Sequence, residues 1–222
     1  MKFRNILFDV DGTLINTTTA NLMGLQDLLT MSGKKSYSFD ELMKYEGIPG
    51  CYTLKALGFE NIREAQRQWG SLIEHRKYMF EYYYGIQGTL SVLKSAGFGL
   101  GIVTSRTNYE VENDPLLTAL KSFFRSIITA DHTDKHKPNP DPLIYAMNIN
   151  GFNPSETVYI GDTIHDYEAA KRANIKFIKA EWGGMTFDVD GEHYQAKTPI
   201  ELLKLVSEHG TGMLNTRTER IF

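Results

Sequence analysis

Ile6-Leu7-Phe8-Asp9-Val10-Asp11-Gly12-Thr13 is the stretch that decides how this chain of 222 residues folds. Three consecutive apolar residues predict a short buried strand, which carries two carboxylates, one residue apart, into a loop. In open parallel sheets ligands bind at the carboxyl ends of the strands, so the two acids stand where a ligand would be met. Burying them is costly without a cation or polar partners. Two carboxylates so placed can divide the labour of phosphate transfer: one attacks phosphorus, and the other protonates the departing oxygen and later deprotonates water. Gly12 lets the backbone turn tightly beside a phosphate, and Thr13 caps that turn or offers a hydroxyl.

An Asp-x-Asp triplet arises by chance about once in a chain of this size and composition. Phe187-Asp188-Val189-Asp190-Gly191 repeats the same five residues as Phe8 to Gly12, but Gly183-Gly184-Met185-Thr186 precedes it instead of an apolar strand. That copy reads as an acidic surface turn. The significance of Asp9 therefore depends on what the rest of the chain brings to it.

Outward from Asp9, apolar runs recur at 98–104, 126–129, 158–160 and 176–179, with helical patterns over 89–95, 116–124, 142–150, 167–173 and 199–207. This alternation predicts an α/β fold: a Rossmann-like parallel sheet covered by helices on both faces. Residues 17–84 interrupt it with helical periodicity alone, predicting helices over 18–31, 39–45, 51–57 and 61–83, punctuated by Gly33, by Gly47-Ile48-Pro49-Gly50 and by Gly58. The predicted organisation is a catalytic core of residues 1–15 and 85–209, an inserted α-helical cap of residues 16–84 expected to sit over the end of the sheet, and a poorly ordered tail of residues 210–222.

Three further segments complete the candidate chemistry. Gly99-Leu100-Gly101-Ile102-Val103-Thr104-Ser105 is a strand ending in hydroxyls suited to donating hydrogen bonds to phosphoryl oxygens, and Arg106 follows as a candidate for a second anionic group. In Lys137-Pro138-Asn139-Pro140-Asp141-Pro142, three prolines restrict the loop and so fix where the Lys137 ammonium points. Val158-Tyr159-Ile160-Gly161-Asp162-Thr163-Ile164-His165-Asp166 is a strand, a glycine and two acids four residues apart, which places both carboxylates on one side of a turn or nascent helix. Asp166 also suits a helix N-cap, and His165 suits a surface position at the helix start. Two or three carboxylates at strand ends match Mg2+, a hard cation that takes oxygen ligands and keeps several waters.

Composition narrows the partners. A net charge of -3 gives no broad attraction to nucleic acid or to an anionic membrane, so a small molecule is the expected partner. The single cysteine, Cys51, fits a reducing cytoplasm, no apolar signal-peptide core precedes Asp9, and no apolar run approaches the length of a membrane span.

The four motifs, in this order over about residues 5–185, resemble the haloacid dehalogenase superfamily of phosphohydrolases. The resemblance implies that Asp9 becomes a phosphoaspartate, that Asp11 acts as general acid and base, and that Thr104, with Ser105, Gly12 and Thr13 around it, binds the phosphoryl group. It implies that Lys137 neutralises charge beside the nucleophile. It further implies that Asp162 joins Asp9 and the backbone carbonyl of Asp11 around magnesium, with Asp166 orienting Lys137 or a metal-bound water. The dehalogenases lack a second acid two residues after the nucleophile, so Asp11 favours phosphate chemistry. The position of the insertion is similar to the helical cap of the phosphoglycolate phosphatase and beta-phosphoglucomutase branch.

The expectation is thus a magnesium-dependent phosphatase acting on a small phosphorylated metabolite. A sugar phosphomutase is the second alternative, disfavoured because Thr19-Ala20-Asn21-Leu22 and Gly47-Ile48-Pro49-Gly50 stand where mutases of the branch carry a cap histidine and arginine. A non-catalytic phosphate-binding protein is the third. Lys44, Tyr45, Tyr52, Arg76 and Lys77 are the cap residues considered for specificity.

Overall fold

The structure, a computed structural model, describes residues 3–45, 48, 50–184, 187 and 194–208. The acidic turn expected at Asp188 to Gly191, the cap-loop residues Gly47 and Pro49, and the tail of residues 210–222 lie outside the described residues. The chain divides into two compact units, the larger holding the chain up to Ile15 and again from Tyr82, the smaller formed by Asn16–Glu81.

In chain order, β1 (Asn5–Phe8) is followed by the short β2 (Ile15–Asn16), by the helices α1 (Thr18–Met31), α2 (Phe39–Met43), α3 (Gly50–Ala56) and α4 (Ile62–Glu74), and by β3 (Glu81–Tyr82). Then come α5 (Ile86–Ser95), β4 (Gly99–Val103), α6 (Asn108–Glu112), α7 (Pro115–Leu120), β5 (Ile127–Ile128) and α8 (Asp141–Asn150). The last are β6 (Thr157–Gly161), α9 (Ile164–Arg172), β7 (Lys176–Ala180), β8 (Tyr194–Ala196) and α10 (Glu201–Glu208).

Six strands of the larger unit form one parallel sheet in the order β5-β4-β1-β6-β7-β8. The expected α/β Rossmann-like fold is therefore found. Past Asn5 and Thr157 at their starts, the central strands are apolar because helices cover both faces of such a sheet. Leu7 and Tyr159 pack with Leu143, Ala146 and Met147 of α8 and with Ala169 and Ala170 of α9 in one core cluster. The sequence of the chain winds outward from β1 in both directions, so β1 stands at the topological switch point, where a crevice opens at the carboxyl ends. Register makes this concrete: Phe8 pairs with Ile102 on one side and Ile160 on the other. The residues that follow, Asp9, Thr104 and Asp162, consequently emerge from three adjacent strands.

In the smaller unit, Leu22, Leu25, Leu28, Leu29, Leu42, Leu54, Leu57 and Ala65 form a separate apolar core, with Trp69 packed against it. The Trp69 indole satisfies its N–H by donating to the Asn21 carbonyl at 2.9 Å. Ser38 and Glu41 form a capping box that starts α2, and Asn61 caps α4 by accepting from the Glu64 amide at 3.2 Å. The helix expected over 61–83 ends at Glu74, and a 3-10 turn at Lys77–Met79 and β3 replace its second half. Tyr78-Met79-Phe80-Glu81-Tyr82-Tyr83-Tyr84 is aromatic-rich, a composition that suits extended backbone better than helix. Of the cap residues considered for specificity, Arg76 pairs with Asp27, Lys77 with Glu74 at 2.7 Å, and Lys44 lies over the Tyr45 ring. Tyr52 is exposed.

No helix among the described residues is long and apolar enough to cross a membrane.

Candidate active site

The loop after β1 is held by the backbone itself. Thr13, Leu14 and Ile15 all donate their amides to the Val10 carbonyl, and Gly12 donates to Ile15 at 3.0 Å. Gly12 adopts φ +74, and a Cβ there would lie 2.0 Å from Oδ2 of Asp162, so the position excludes any side chain for two independent reasons. The adjoining Thr13 donates its hydroxyl to Oδ1 of Asp162 at 3.3 Å, and its carbonyl accepts the Trp182 indole N–H at 2.8 Å. The turn after β7 thus packs on the turn after β1.

Asp9 is buried, and Oδ1 accepts from the Lys137 ammonium at 2.7 Å. Lys137 also donates to Oδ1 of Asp166 at 2.7 Å and to the Tyr159 hydroxyl at 3.0 Å. Three partners for three N–H bonds leave the ammonium fully satisfied. The Lys137–Pro138 peptide is cis. Asp166 serves two purposes at once. As the N3 residue of the Thr163 capping box its Oδ2 accepts from the Thr163 amide at 3.0 Å and hydroxyl at 2.6 Å, while Oδ1 faces Lys137. The N-cap of α9 is thus Thr163 and not Asp166, which closes the capping box from the third helical position while its other oxygen faces Lys137.

The electrostatics follow from burial. Desolvation pushes the Asp9 carboxyl up from 3.8 to about 7, with Lys137 opposing and Asp166 adding to the rise. Asp162 is raised well above the ordinary carboxylate range, first by burial and then by repulsion from Asp166 and Asp9. For Asp166 burial also pushes upward, but Lys137 and the Thr163 hydrogen bonds outweigh it and hold the carboxyl below its usual range. Burial would pull the Lys137 ammonium down, and the charges of Asp166 and Asp9 more than reverse that. Burial lowers His165, which sits half-buried on α9.

Ligand oxygens of Asp9, Asp162 and Asp166 lie within 4.8 Å of one another. Three buried carboxylates face one ammonium, and burial together with their mutual repulsion raises Asp9 and Asp162 in spite of Lys137. An all-oxygen donor set of this kind fits a hard divalent cation such as magnesium. With both Asp166 oxygens taken up by Lys137, Tyr159 and Thr163, the carboxylates that remain for such an ion are those of Asp9 and Asp162.

At the end of β4, the buried Thr104 accepts the Arg106 amide on its hydroxyl oxygen at 3.2 Å, and Ser105 is exposed. The Arg106 guanidinium, considered from sequence for a substrate anion, is turned instead onto two carboxylates. Nη2 and Nε grip Oδ1 and Oδ2 of Asp11 at 2.7 and 2.9 Å, and Nη1 donates to Asp114 at 2.6 Å. Burial works against the Arg106 charge, and Asp11 and Asp114 more than offset it.

Two participants went unnoticed in the sequence. Tyr159 is a polar handle inside an apolar strand, and Asp114 precedes Pro115 as the N-cap of α7. Asp-Pro at a helix start was a readable signal. What the Tyr159 hydroxyl meets depended on Lys137 and Asp166, which lie 22 and 7 positions away.

Similarity to known proteins agrees with this geometry. The family model described as haloacid dehalogenase-like hydrolase matches residues 6–180. A protein named pyrophosphatase PpaX from Anoxybacillus flavithermus is 30% identical over 210 residues, spanning 94% of this chain and 95% of the relative. Another of that name from Bacillus pumilus is 31% identical over 206 residues, 91% of this chain and 93% of its own length. Among solved structures, a candidate phosphoglycolate phosphatase from Lactobacillus plantarum superimposes with a TM-score of 0.86 at 28% identity, covering 92% of this chain and all of that one. The chain belongs to the haloacid dehalogenase-like hydrolase family.

Proposed function

We propose that this protein is a magnesium-dependent phosphatase that hydrolyses a small phosphorylated metabolite through a phosphoaspartate formed on Asp9. The observation that carries the proposal is the Lys137 ammonium shared between Asp9 and Asp166 at 2.7 Å each, at the switch point of the sheet. It fixes one carboxylate oxygen of Asp9 and leaves the carboxylate held in place for in-line attack.

In this mechanism Asp9 attacks phosphorus, and Asp11 protonates the departing oxygen and then takes a proton from the water that hydrolyses the phosphoaspartate. The Thr104 hydroxyl donates to a phosphoryl oxygen, and Lys137 balances the negative charge beside Asp9. Gly12, Thr13 and Ser105 shape the cradle around that oxygen. Asp9 and Asp162, with the Asp11 backbone, would hold a magnesium ion, which supplies positive charge to the phosphoryl oxygens. Asp166 acts through Lys137 and Thr163, keeping the ammonium aimed at Asp9.

The relatives named pyrophosphatase make inorganic pyrophosphate the first compound to test, and Cys51 as the single cysteine supports a cytoplasmic setting. A phosphate-release screen over pyrophosphate, phosphoglycolate, sugar phosphates and nucleotides, with and without magnesium, tests the proposal. The expected result is release that requires magnesium and vanishes in Asp9→Asn. Retention of full activity by that variant would overturn it.

A further inference from the structure

Asp11 is the most open carboxylate of the site, with 40% of its side chain exposed, and yet both of its oxygens are bound. The Arg106 fork binds them in parallel, a planar two-bond geometry that sets orientation as well as distance. Arg106 is itself fixed. Its amide donates to Thr104, its carbonyl accepts from Ala130 at 2.8 Å, and Nη1 is bound by Asp114, whose side chain is 1% exposed. The other Asp114 oxygen accepts the Leu116 and Leu117 amides at 2.8 and 3.2 Å, so the start of α7 anchors the carboxylate. A continuous set of charge-assisted hydrogen bonds therefore runs from a helix N-terminus through Asp114 and Arg106 to Asp11.

We propose that Asp114 is a positioning residue that acts through the Arg106 guanidinium to hold the Asp11 carboxyl where it meets the leaving oxygen. The inference rests on the phosphatase mechanism above. An N-cap alone does not require Asp114 to be charged, since Asn and Ser cap as well. The Arg106 contact does, because Asp11 binds Nε and Nη2 while Asp114 binds Nη1 from the buried side, and an uncharged cap would leave the buried guanidinium one carboxylate short.

The test uses the whole protein with magnesium and compares kcat/KM for phenyl phosphate and p-nitrophenyl phosphate. This quantity reports only the steps up to loss of the leaving group. Phenolate is a poor leaving group that needs a proton, whereas p-nitrophenolate departs with little help. Because general acid catalysis contributes on the order of 100-fold or more, Asp114→Asn is expected to lower kcat/KM for phenyl phosphate by about 10- to 30-fold and for p-nitrophenyl phosphate by less than about 3-fold. Asp114→Ser, which also keeps a capping oxygen, is expected to behave alike, with both variants retaining the wild-type circular dichroism spectrum. Adding either to Asp11→Asn is expected to cause no further selective loss, since the two residues act on one step.

An equal fall on both substrates, a full additional selective loss in the double variant, or a faster reaction with phenyl phosphate would overturn the proposal. Such results leave the phosphatase mechanism intact, provided that wild type turns over and Asp9→Asn does not. Absence of magnesium-dependent turnover in wild type on any phosphate ester instead defeats that mechanism, and this inference with it.

Discussion

The Lys137 ammonium donates to Asp9 at 2.7 Å across 128 positions of sequence, with the two side chains 6% and 8% exposed. Neither charge is tolerable there alone, and together with Asp166 they form a buried network in which each member keeps the others ionised or oriented. In the proposed mechanism, stability and catalysis are consequently tied to the same atoms.

Replacing Lys137 by Met removes the cation and leaves the carboxylates facing one another. The expected cost is about 3 kcal/mol, at the low end for a broken buried pair because Asp9 can take up a proton. Urea unfolding at pH 7 measures it, and phosphate release should fall below detection. A variant as stable as wild type would show that the pair adds nothing.

The raised Asp9 carboxyl predicts how magnesium binding depends on pH. With a folded-state value of about 7 against 3.8 when unfolded, the metal-free protein holds this proton more tightly folded than unfolded, so the contribution of Asp9 to stability falls as pH rises between those values. Below 7 magnesium must displace the proton; above 7 it meets a carboxylate. The rise in Tm on adding magnesium should therefore be larger at pH 8 than at pH 6. Equal shifts at both would refute the assignment of Asp9 as a ligand.

Gly12→Ala places a methyl on a residue with φ +74 and against the Asp162 carboxylate. Backbone strain of this kind costs on the order of 1–3 kcal/mol, and the displaced carboxylate should weaken magnesium binding as well. Thermal scans with and without magnesium check both effects. Gly33→Ala, at a positive φ with nothing near the added Cβ, should show the strain without the loss of magnesium binding.

Tyr159→Phe keeps the ring in the core and removes the hydroxyl that bridges Lys137 and Asp166. With one donor of Lys137 left unsatisfied, the expected destabilisation is about 1–2 kcal/mol. The loss in kcat should exceed any change in KM, because the hydroxyl supports Lys137 and not the substrate. Unfolding curves and steady-state kinetics on the same sample separate the two.

Much of this architecture was legible in local pattern. A strand buried on both faces must be apolar along its length and must end in polar residues where ligands bind, so Ile6-Leu7-Phe8 before Asp9, Ile102-Val103 before Thr104 and Tyr159-Ile160 before Asp162 declared both the sheet and the edge at which its chemistry lies. The helices of the insertion declared themselves by periodicity in the same way. Short segments did not: β8 has three residues and α6 five, too few for a period to stand out, and β8 forms by pairing with β7 while α6 starts on the Thr107–Glu110 capping box. The same distinction runs through the site. Sequence alone determined which residues carry the carboxylates, hydroxyls and ammonium, because residue type and strand-end position are local properties. The resemblance already set Lys137 beside Asp9, and tertiary structure alone decided that Asp166 binds that ammonium, that Tyr159 completes its coordination, and that Arg106 turns to Asp11 and Asp114. Those pairings are chosen by distance and by the cost of burying an unmatched charge, and neither is written along the chain.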